Sequence, residues 1–322
     1  MAHEIENMAY VGATPWHGLG QQLSPKQPLE VWRREAGMDW EILDSPVHFK
    51  SDTRGPLGSI HTYPEQRVLY RSDTKEALSV VSKRYQIVQP RDVIEFYRDL
   101  TEVSGYELET AGVLKGGRKF WALARTGMDF SLKGRDLVNG YLLLATSCDG
   151  TMATTATPTT VRVVCNNTLT VAVNGAPRAI KVPHNTVFQP DVVKQDLGIA
   201  ISQWDDFKYQ MRLLSQRKVS WKEAMAYFMG VVAEIDEHEP LPEKIPNERG
   251  LKRVQELFDG AGRGSDLESA QGTAWGMLSA VTEYVDHHRQ ARSTDYRLDS
   301  AWFGNGAQMK QRALDNALQL VA

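Results

Sequence analysis

The chain has 322 residues, of which 42 % are hydrophobic and 24 % charged, and its formal net charge is -3. This length predicts about two domains with a sizeable buried core. Two cysteines, Cys148 and Cys165, are too few for a disulfide framework or a four-thiolate zinc site and favour a reducing compartment. No segment resembles a signal peptide or a membrane span, so we expect a soluble, cytoplasmic protein.

The first 105 residues predict an alternation of short helices and strands. Pro90 opens an amphipathic helix whose apolar side chains recur at helical spacing as far as Val103. The other elements predicted here are a helix over residues 29–36 and strands over residues 40–43, 46–49, 67–71 and 78–81.

From residue 106 the hydrophobic period changes to two, which is typical of strands. One predicted hairpin joins residues 106–113 to 118–125 through Gly116 and Gly117, and a second joins residues 141–147 to 152–164 through Asp149 and Gly150. Pro158 predicts an edge or a bulge within the second hairpin. A short helix over residues 166–173 and a strand over residues 179–182 are expected to follow.

Beyond Pro190 the period becomes helical again. Apolar residues from Val193 to Leu214 form a heptad seam, for which intramolecular packing and a partner helix are both open. The pattern therefore predicts an α+β fold, with an antiparallel sheet of hairpins packed on helices over residues 1–190 and a mainly helical region over residues 191–322. The further predicted helices lie near residues 220–232, 248–258, 273–288 and 308–320.

Positive charge is concentrated on the predicted sheet. Residues 110–190 contain nine Lys and Arg against three Asp and Glu, a net of +6 in a chain of net charge -3. A positive sheet with interleaved aromatic residues is typical of nucleic-acid binding, although a solvated sheet face above core aromatics gives the same pattern. Arg84 and Arg162 are the strongest candidates for phosphate contacts. The full candidate set is Lys83, Arg84, Tyr85, Lys115, Arg118, Lys119, Arg125, Lys133, Arg135, Arg162, Arg178 and Lys181.

No catalytic constellation is evident, so neither an enzyme nor a cofactor or metal is expected. Cys165 with His184 is the one thiol and base pair to consider, but the apolar flank of Cys165 favours a buried structural thiol. Asp286, His287 and His288 are adjacent, and adjacent helical residues do not face one metal ion. The glycine-rich run at residues 260–264 lacks the context of a phosphate-binding loop.

Several short motifs together resemble one known family. They are PWHGLG at residues 15–20, VSKRY at residues 81–85, the glycines of residues 112–117, the Asp149-Gly150 turn, RVVCNNTL at residues 162–169, GTAW at residues 272–275 and EYVDH at residues 283–287. The chain resembles the phage/plasmid-like protein family of unknown function, carried by phages, prophages and plasmids. The order of elements in that family is remotely similar to that of Rad-type phage single-strand annealing proteins.

This resemblance implies ATP-independent annealing of single-stranded DNA in phage or mobile-element recombination, inside the bacterial host cell. It implies a homo-oligomer such as a ring that holds DNA in a basic groove. A phage exonuclease or a host single-strand binding protein would be a further partner. Two alternatives stay open: an interaction or structural protein without nucleic-acid affinity, and a hydrolase or nuclease that uses Cys165 and His184.

Overall fold

The computed structural model describes residues 5–12, 20–51, 59–162, 164, 167–170, 172–173, 176–177, 179–201, 204–235, 240 and 242–322. The strands are β1 (Ile5–Val11), β2 (Gln21–Leu23), β3 (Ile42–Ser51), β4 (Ser59–Arg71), β5 (Ala77–Ser82), β6 (Glu107–Leu114), β7 (Lys119–Leu132), β8 (Asp136–Ser147), β9 (Thr154–Arg162), β10 (Asn167–Thr170), β11 (Ala172–Val173), β12 (Ala176–Pro177) and β13 (Ile180–Val182). The helices are α1 (Leu29–Glu35), α2 (Pro90–Glu95), α3 (Arg98–Glu102), α4 (Pro190–Ile201), α5 (Trp204–Gln216), α6 (Trp221–Phe228), α7 (Glu248–Glu256), α8 (Ala274–Glu283), α9 (Thr294–Phe303) and α10 (Asn305–Gln319). The predicted α+β fold is confirmed.

The chain forms two compact units, each built from several segments. Unit 1 comprises Met1–Ala124, Leu143–Ala156 and Ile180–Lys194, and unit 2 comprises Arg125–Leu142, Thr157–Ala179 and Gln195–Ala322. The boundary expected at residue 190 lies close to the last passage from unit 1 to unit 2. The chain also passes between the units within β7, β8 and β9, because each of these strands contributes residues to both.

Three sheets are present among the described residues. The largest has the strand order β10-β9-β8-β7-β6-β1-β2, with β13 also paired to β9, and β3-β4-β5 and β11-β12 form the others. Pro158 lies between the residues of β9 that pair with β13 and those that pair with β10. Its missing amide therefore removes no ladder hydrogen bond to either strand, which explains how proline is accommodated.

The helix predicted over residues 166–173 is wrong. Residues 167–170 form β10, antiparallel to β9, and residues 172–173 form β11. Thr168 and Thr170 alternate with the buried Leu169, and β-branched residues favour a pleated strand over a helix. Pairing with the preceding strand thus overrides the weak local preference for a helix.

The long helix expected after Pro90 is divided into α2 and α3. Phe96 and Tyr97 lie at the break, and both side chains are buried. The Tyr97 hydroxyl donates to the Ala122 carbonyl oxygen at 2.8 Å and accepts from the Leu144 amide at 2.9 Å. The seam predicted from Val193 to Leu214 lies on α4 and α5, and residues 202–203 between them are outside the described residues.

The core of unit 2 surrounds α8, in which every residue from Ala274 to Glu283 is buried. Apolar side chains of α5, α6, α7 and α10 pack around it, among them Phe207, Met211 and Leu214 of the predicted seam. Short π-helical segments continue α6, α7 and α8 over residues 229–233, 257–261 and 284–288. No helix in the described part of the chain has both the length and the apolar character needed to cross a bilayer.

Gly276 in α8 provides a direct test of this packing. A Cβ atom at this position would lie 2.0 Å from the Ala270 carbonyl oxygen, so Gly276→Ala is expected to lower the free energy of unfolding by about 1–3 kcal/mol. Gly198 in α4 is exposed with nothing within 4 Å of the same position, and Gly198→Ala is expected to stabilise by about 0.5–1 kcal/mol. Chemical denaturation measures both values, and equal stability of the two variants would contradict the packing around α8.

Candidate nucleic-acid interface

Unit 1 exposes aromatic side chains on a β-hairpin. We call residues 46–51 of β3 and 59–66 of β4 the aromatic arm. Val47 pairs with Tyr63 and Phe49 pairs with His61, so the four side chains share one face. Phe49 is 50 % exposed and Tyr63 is 44 % exposed. The His61 ring stacks on Phe49 with centroids 5.3 Å apart, which leaves a row of rings facing solvent.

Two of the predicted cations lie at the base of the aromatic arm. Strand β5 pairs with β4 as far as Ser82 opposite Gln66, and the Lys83 amide then donates to the Glu65 carbonyl oxygen at 3.1 Å. The Lys83 ammonium lies 3.8 Å from the Glu65 carboxylate, with both side chains exposed. Arg84 is exposed, and no carboxylate of the described residues forms an ion pair with it. Its charge is therefore open to an external anion.

Arg84 and Tyr85 line a cleft of about 420 Å³ in unit 1, together with His184 and the turn between β8 and β9. The Tyr85 ring stacks on His184 with centroids 4.4 Å apart, and its hydroxyl donates to the Ser147 carbonyl oxygen at 2.8 Å. Burial raises the pKa of this hydroxyl, and the nearby Cys148 and Asp149 add to the effect. Tyr85 is only 9 % exposed. Its expected role as an exposed stacking residue is wrong, and it forms a wall of the cleft instead.

Four further candidates of unit 1 differ in their exposure. Arg118 and Lys181 are exposed, whereas Lys115 is half-buried. The Arg118 carbonyl oxygen accepts from the Cys148 amide at 2.9 Å, which places Arg118 beside the turn that contains Gly150 of the cleft. Lys119 is buried at the start of β7, so its prediction as a surface cation is wrong. Lys119 belongs to a run of six buried residues at the start of β7, whereas Arg118 caps the turn before the strand and is exposed.

Arg162 is the clearest correction among the candidates of unit 2. Its side chain is 4 % exposed, and its guanidinium donates two 2.7 Å hydrogen bonds to Asp136, itself 1 % exposed. The Ser269 hydroxyl and the Trp275 indole also donate to Asp136, at 2.7 and 2.9 Å. Arg162 is thus a core residue that neutralises a buried carboxylate and does not face a phosphate.

The remaining candidates of unit 2 are on its surface or outside the described residues. Lys133 pairs with Glu268 at 3.1 Å, and Arg125 lies 3.7 Å from Asp129. Arg135 is exposed. Arg178 lies outside the described residues.

Among the described residues, no thiol forms a catalytic pair with His184. Cys165 lies outside the described residues, and Cys148 is buried with its pKa raised to about 12 by burial and by Asp149. His184 faces the Gln86 and Met152 carbonyl oxygens at 3.0 and 3.1 Å through its two ring nitrogens. Both nitrogens are thereby committed to the backbone and neither is directed at a nucleophile.

Asp286, His287 and His288, the residues weighed as metal ligands, lie in the π-helical segment that continues α8. The described residues contain no group of three or more His, Cys, Asp or Glu side chains placed to hold a metal ion. Asp286 instead accepts from the buried Lys310 at 2.8 Å and from the Thr168 amide at 2.7 Å. Its carboxylate therefore stabilises the core of unit 2.

The model of one protein family, described as a domain of unknown function (DUF932), matches residues 77–302, which is more than half of the chain. The chain belongs to this family. Neither the curated proteins nor the solved structures give a significant match. The prediction from the motifs that the chain belongs to an uncharacterised family is thus confirmed. The association with phages and the similarity to annealing proteins stay predictions.

The DUF932 match covers the cleft at Arg84 but begins after the aromatic arm. Phe49 and Tyr63 were not among the predicted site residues. No period of two marks them, since Ile60 and Tyr63 are three residues apart. The predicted basic residues are split between surface and core. Tyr106, Phe120, Trp121 and Tyr141 are all buried.

Proposed function

We propose that this DUF932 protein binds single-stranded DNA and anneals complementary strands without ATP, acting as a homo-oligomer. The observation that carries the proposal is the row of exposed rings, Phe49 and Tyr63, on an arm whose base bears Lys83 and Arg84. Cations that track phosphates beside rings that stack on bases are the common features of sequence-independent single-strand binding. The homo-oligomer rests on the family resemblance alone.

The arrangement suits binding without chemistry on the DNA. Arg84 and Lys83 would hold phosphates while Phe49 and Tyr63 would stack on successive bases and keep the strand extended. An extended strand presents its base-pairing edges to a second strand, which is what annealing requires. Salt would weaken binding because each phosphate contact releases a counterion.

The Lys83→Ala/Arg84→Ala double variant tests the phosphate contacts. We expect weaker binding of a labelled oligonucleotide and a salt dependence less steep by about 1.4, since each single-strand phosphate contact contributes about 0.7 to the slope. Fluorescence anisotropy over a range of salt concentrations measures both quantities. Annealing of complementary strands, followed by the fluorescence of a paired label, is expected to slow in parallel.

A control of equal charge is Lys222→Ala/Lys252→Ala, which removes two exposed lysines from unit 2. This control is expected to bind nearly as tightly as the unchanged protein. If both double variants lost the same affinity, net charge alone would govern binding and the proposed site would be wrong. If the unchanged protein bound no single-stranded DNA at low ionic strength, the interaction or structural alternative would be favoured.

A further inference from the structure

Unit 2 contains a second basic site, a cavity of about 1120 Å³. It is bounded by the first turn of α7 and by the π-helical segments that follow α6 and α8. Such π-helical segments are frequent at functional sites. We call it the basic cavity, and its cationic lining residues are Lys244, Arg249, Arg253 and Arg289.

Two acidic residues, Glu234 and Glu248, also line the basic cavity, and they do not balance its four cations. Glu234 pairs with Arg312 at 2.6 Å, and Arg253 pairs with Glu256 at 3.0 Å. Within the described part of the chain, Lys244 and Arg249 form no ion pair. The cavity therefore has an excess of positive charge, with two cations open to a ligand.

Backbone donors add to this positive charge. Asn247 directly precedes α7, adopts a left-handed conformation with φ 50° and makes no side-chain cap. The Asn247 amide group donates instead to the Val232 carbonyl oxygen at 3.2 Å. The first amides of a helix have no intrahelical acceptor, so the uncapped turn at Glu248 and Arg249 offers donors to an anion in the cavity.

Tyr284 is an independent sign of a ligand. Its side chain lines the basic cavity and is only 7 % exposed, yet its hydroxyl has no hydrogen-bond partner among the described residues. A Cβ atom at Gly250 would lie 2.5 Å from this hydroxyl, which shows that the oxygen rests against the first turn of α7. The oxygen itself opens to the cavity, so the hydroxyl can donate to or accept from a ligand there.

His288, which also lines the basic cavity, is partly buried beside several cations. Its pKa is lowered to about 4, first by burial and then by the neighbouring Arg253, His287, Arg263 and Arg297. Its Nε2 atom lies 3.7 Å from the Glu283 carboxylate, and burial raises the pKa of Glu283. An anion in the cavity would offset the surrounding positive charge.

We propose that the basic cavity binds a multiply charged phosphate compound through Arg249, Lys244, the first turn of α7 and the Tyr284 hydroxyl. A nucleoside triphosphate and an inorganic oligophosphate share this chemistry. The volume accommodates either, since ligand pockets commonly span about 300–1,000 Å³. Binding requires no hydrolysis, and it is independent of the aromatic arm in unit 1.

Calorimetric titration of the full chain with ATP, tripolyphosphate and adenosine at low ionic strength tests the proposal. We expect ATP and tripolyphosphate to bind and adenosine not to bind. Tighter binding of ATP supports a nucleotide, and equal affinities support an oligophosphate. The absence of binding by both phosphate compounds would overturn the proposal, as would adenosine binding as tightly as ATP.

Variants locate the bound phosphate. Arg249→Ala and Tyr284→Phe are each expected to weaken binding, roughly tenfold for Arg249, because a hydrogen bond to a charged group is lost. Lys252→Ala removes an exposed cation of the same helix outside the cavity and is expected to change nothing. An equal loss in Lys252→Ala would overturn the site. The affinity of Arg249→Ala for single-stranded DNA is expected to be unchanged. If it fell as much as the affinity for the phosphate compounds, the cavity would be part of the DNA-binding surface, and the proposal of a separate ligand would be overturned.

Discussion

Asp136→Ala is expected to lower the free energy of unfolding of unit 2 by about 3–5 kcal/mol, because it leaves a buried charge without its partner. Asp136 is the acceptor for four donors in the core: two from the guanidinium of Arg162 and one each from Ser269 and Trp275. Arg162 also donates to the Gly264 carbonyl oxygen at 3.0 Å, but a neutral carbonyl does not replace the charge of the Asp136 carboxylate. The donors left behind, the Arg162 cation among them, cannot be hydrated without opening the core.

Chemical denaturation of Asp136→Ala measures this loss, with Asp129→Ala as its control. Asp129 is 51 % exposed and pairs with the half-exposed Arg125 at 3.7 Å, so its replacement is expected to cost at most about 1 kcal/mol. A double variant, Asp136→Ala/Arg162→Met, removes the stranded cation and is expected to be more stable than Asp136→Ala alone. If Asp136→Ala were as stable as Asp129→Ala, the buried pair would not be the stabilising unit described above.

Phe49→Ala/Tyr63→Ala is expected to reduce the affinity for single-stranded DNA by about 1–3 kcal/mol for each ring that stacks on a base. Both rings are about half-exposed and lie on one face of the aromatic arm. Their removal creates no cavity in the core, so the variant is expected to unfold at nearly the same denaturant concentration as the unchanged protein. Fluorescence anisotropy at fixed salt measures the loss of affinity.

The matched control is Tyr209→Ala/Trp221→Ala, which removes two exposed rings from unit 2, where they are 61 % and 69 % exposed. This control is expected to bind the oligonucleotide as the unchanged protein does. Equal losses in the two double variants would point to non-specific apolar adhesion. Full affinity without Phe49 and Tyr63 would show that the aromatic arm does not contact bases.

Much of the fold could be predicted because its signals are local. The period-two segments on either side of Gly116 and of Asp149 became β6 to β9, and the helical periods beyond Pro190 became the helices of unit 2. Residues 167–170 could not be predicted in this way, because their strand conformation depends on pairing with β9. The local composition also gives no sign that β7, β8 and β9 each contribute residues to both units.

The candidate site was harder to predict because net charge does not distinguish surface from core. Arg162 carries the same formal charge as Arg84, but it is committed to Asp136, whose position 26 residues away gives no sign of the contact. Lys119 and Arg118 are adjacent, yet only Arg118 is exposed. Arg249 and Tyr284 lie far apart in sequence, and only tertiary packing brings them to one cavity.

Ultraviolet crosslinking of a single-stranded oligonucleotide, followed by identification of the linked peptides, tests the proposed interface most directly. We expect the linked residues to lie within the aromatic arm, at Phe49 and Tyr63, and to disappear in the double variant that lacks both rings. Crosslinks that form only in other parts of the chain, or that persist on the arm when both rings are absent, would contradict the proposed interface.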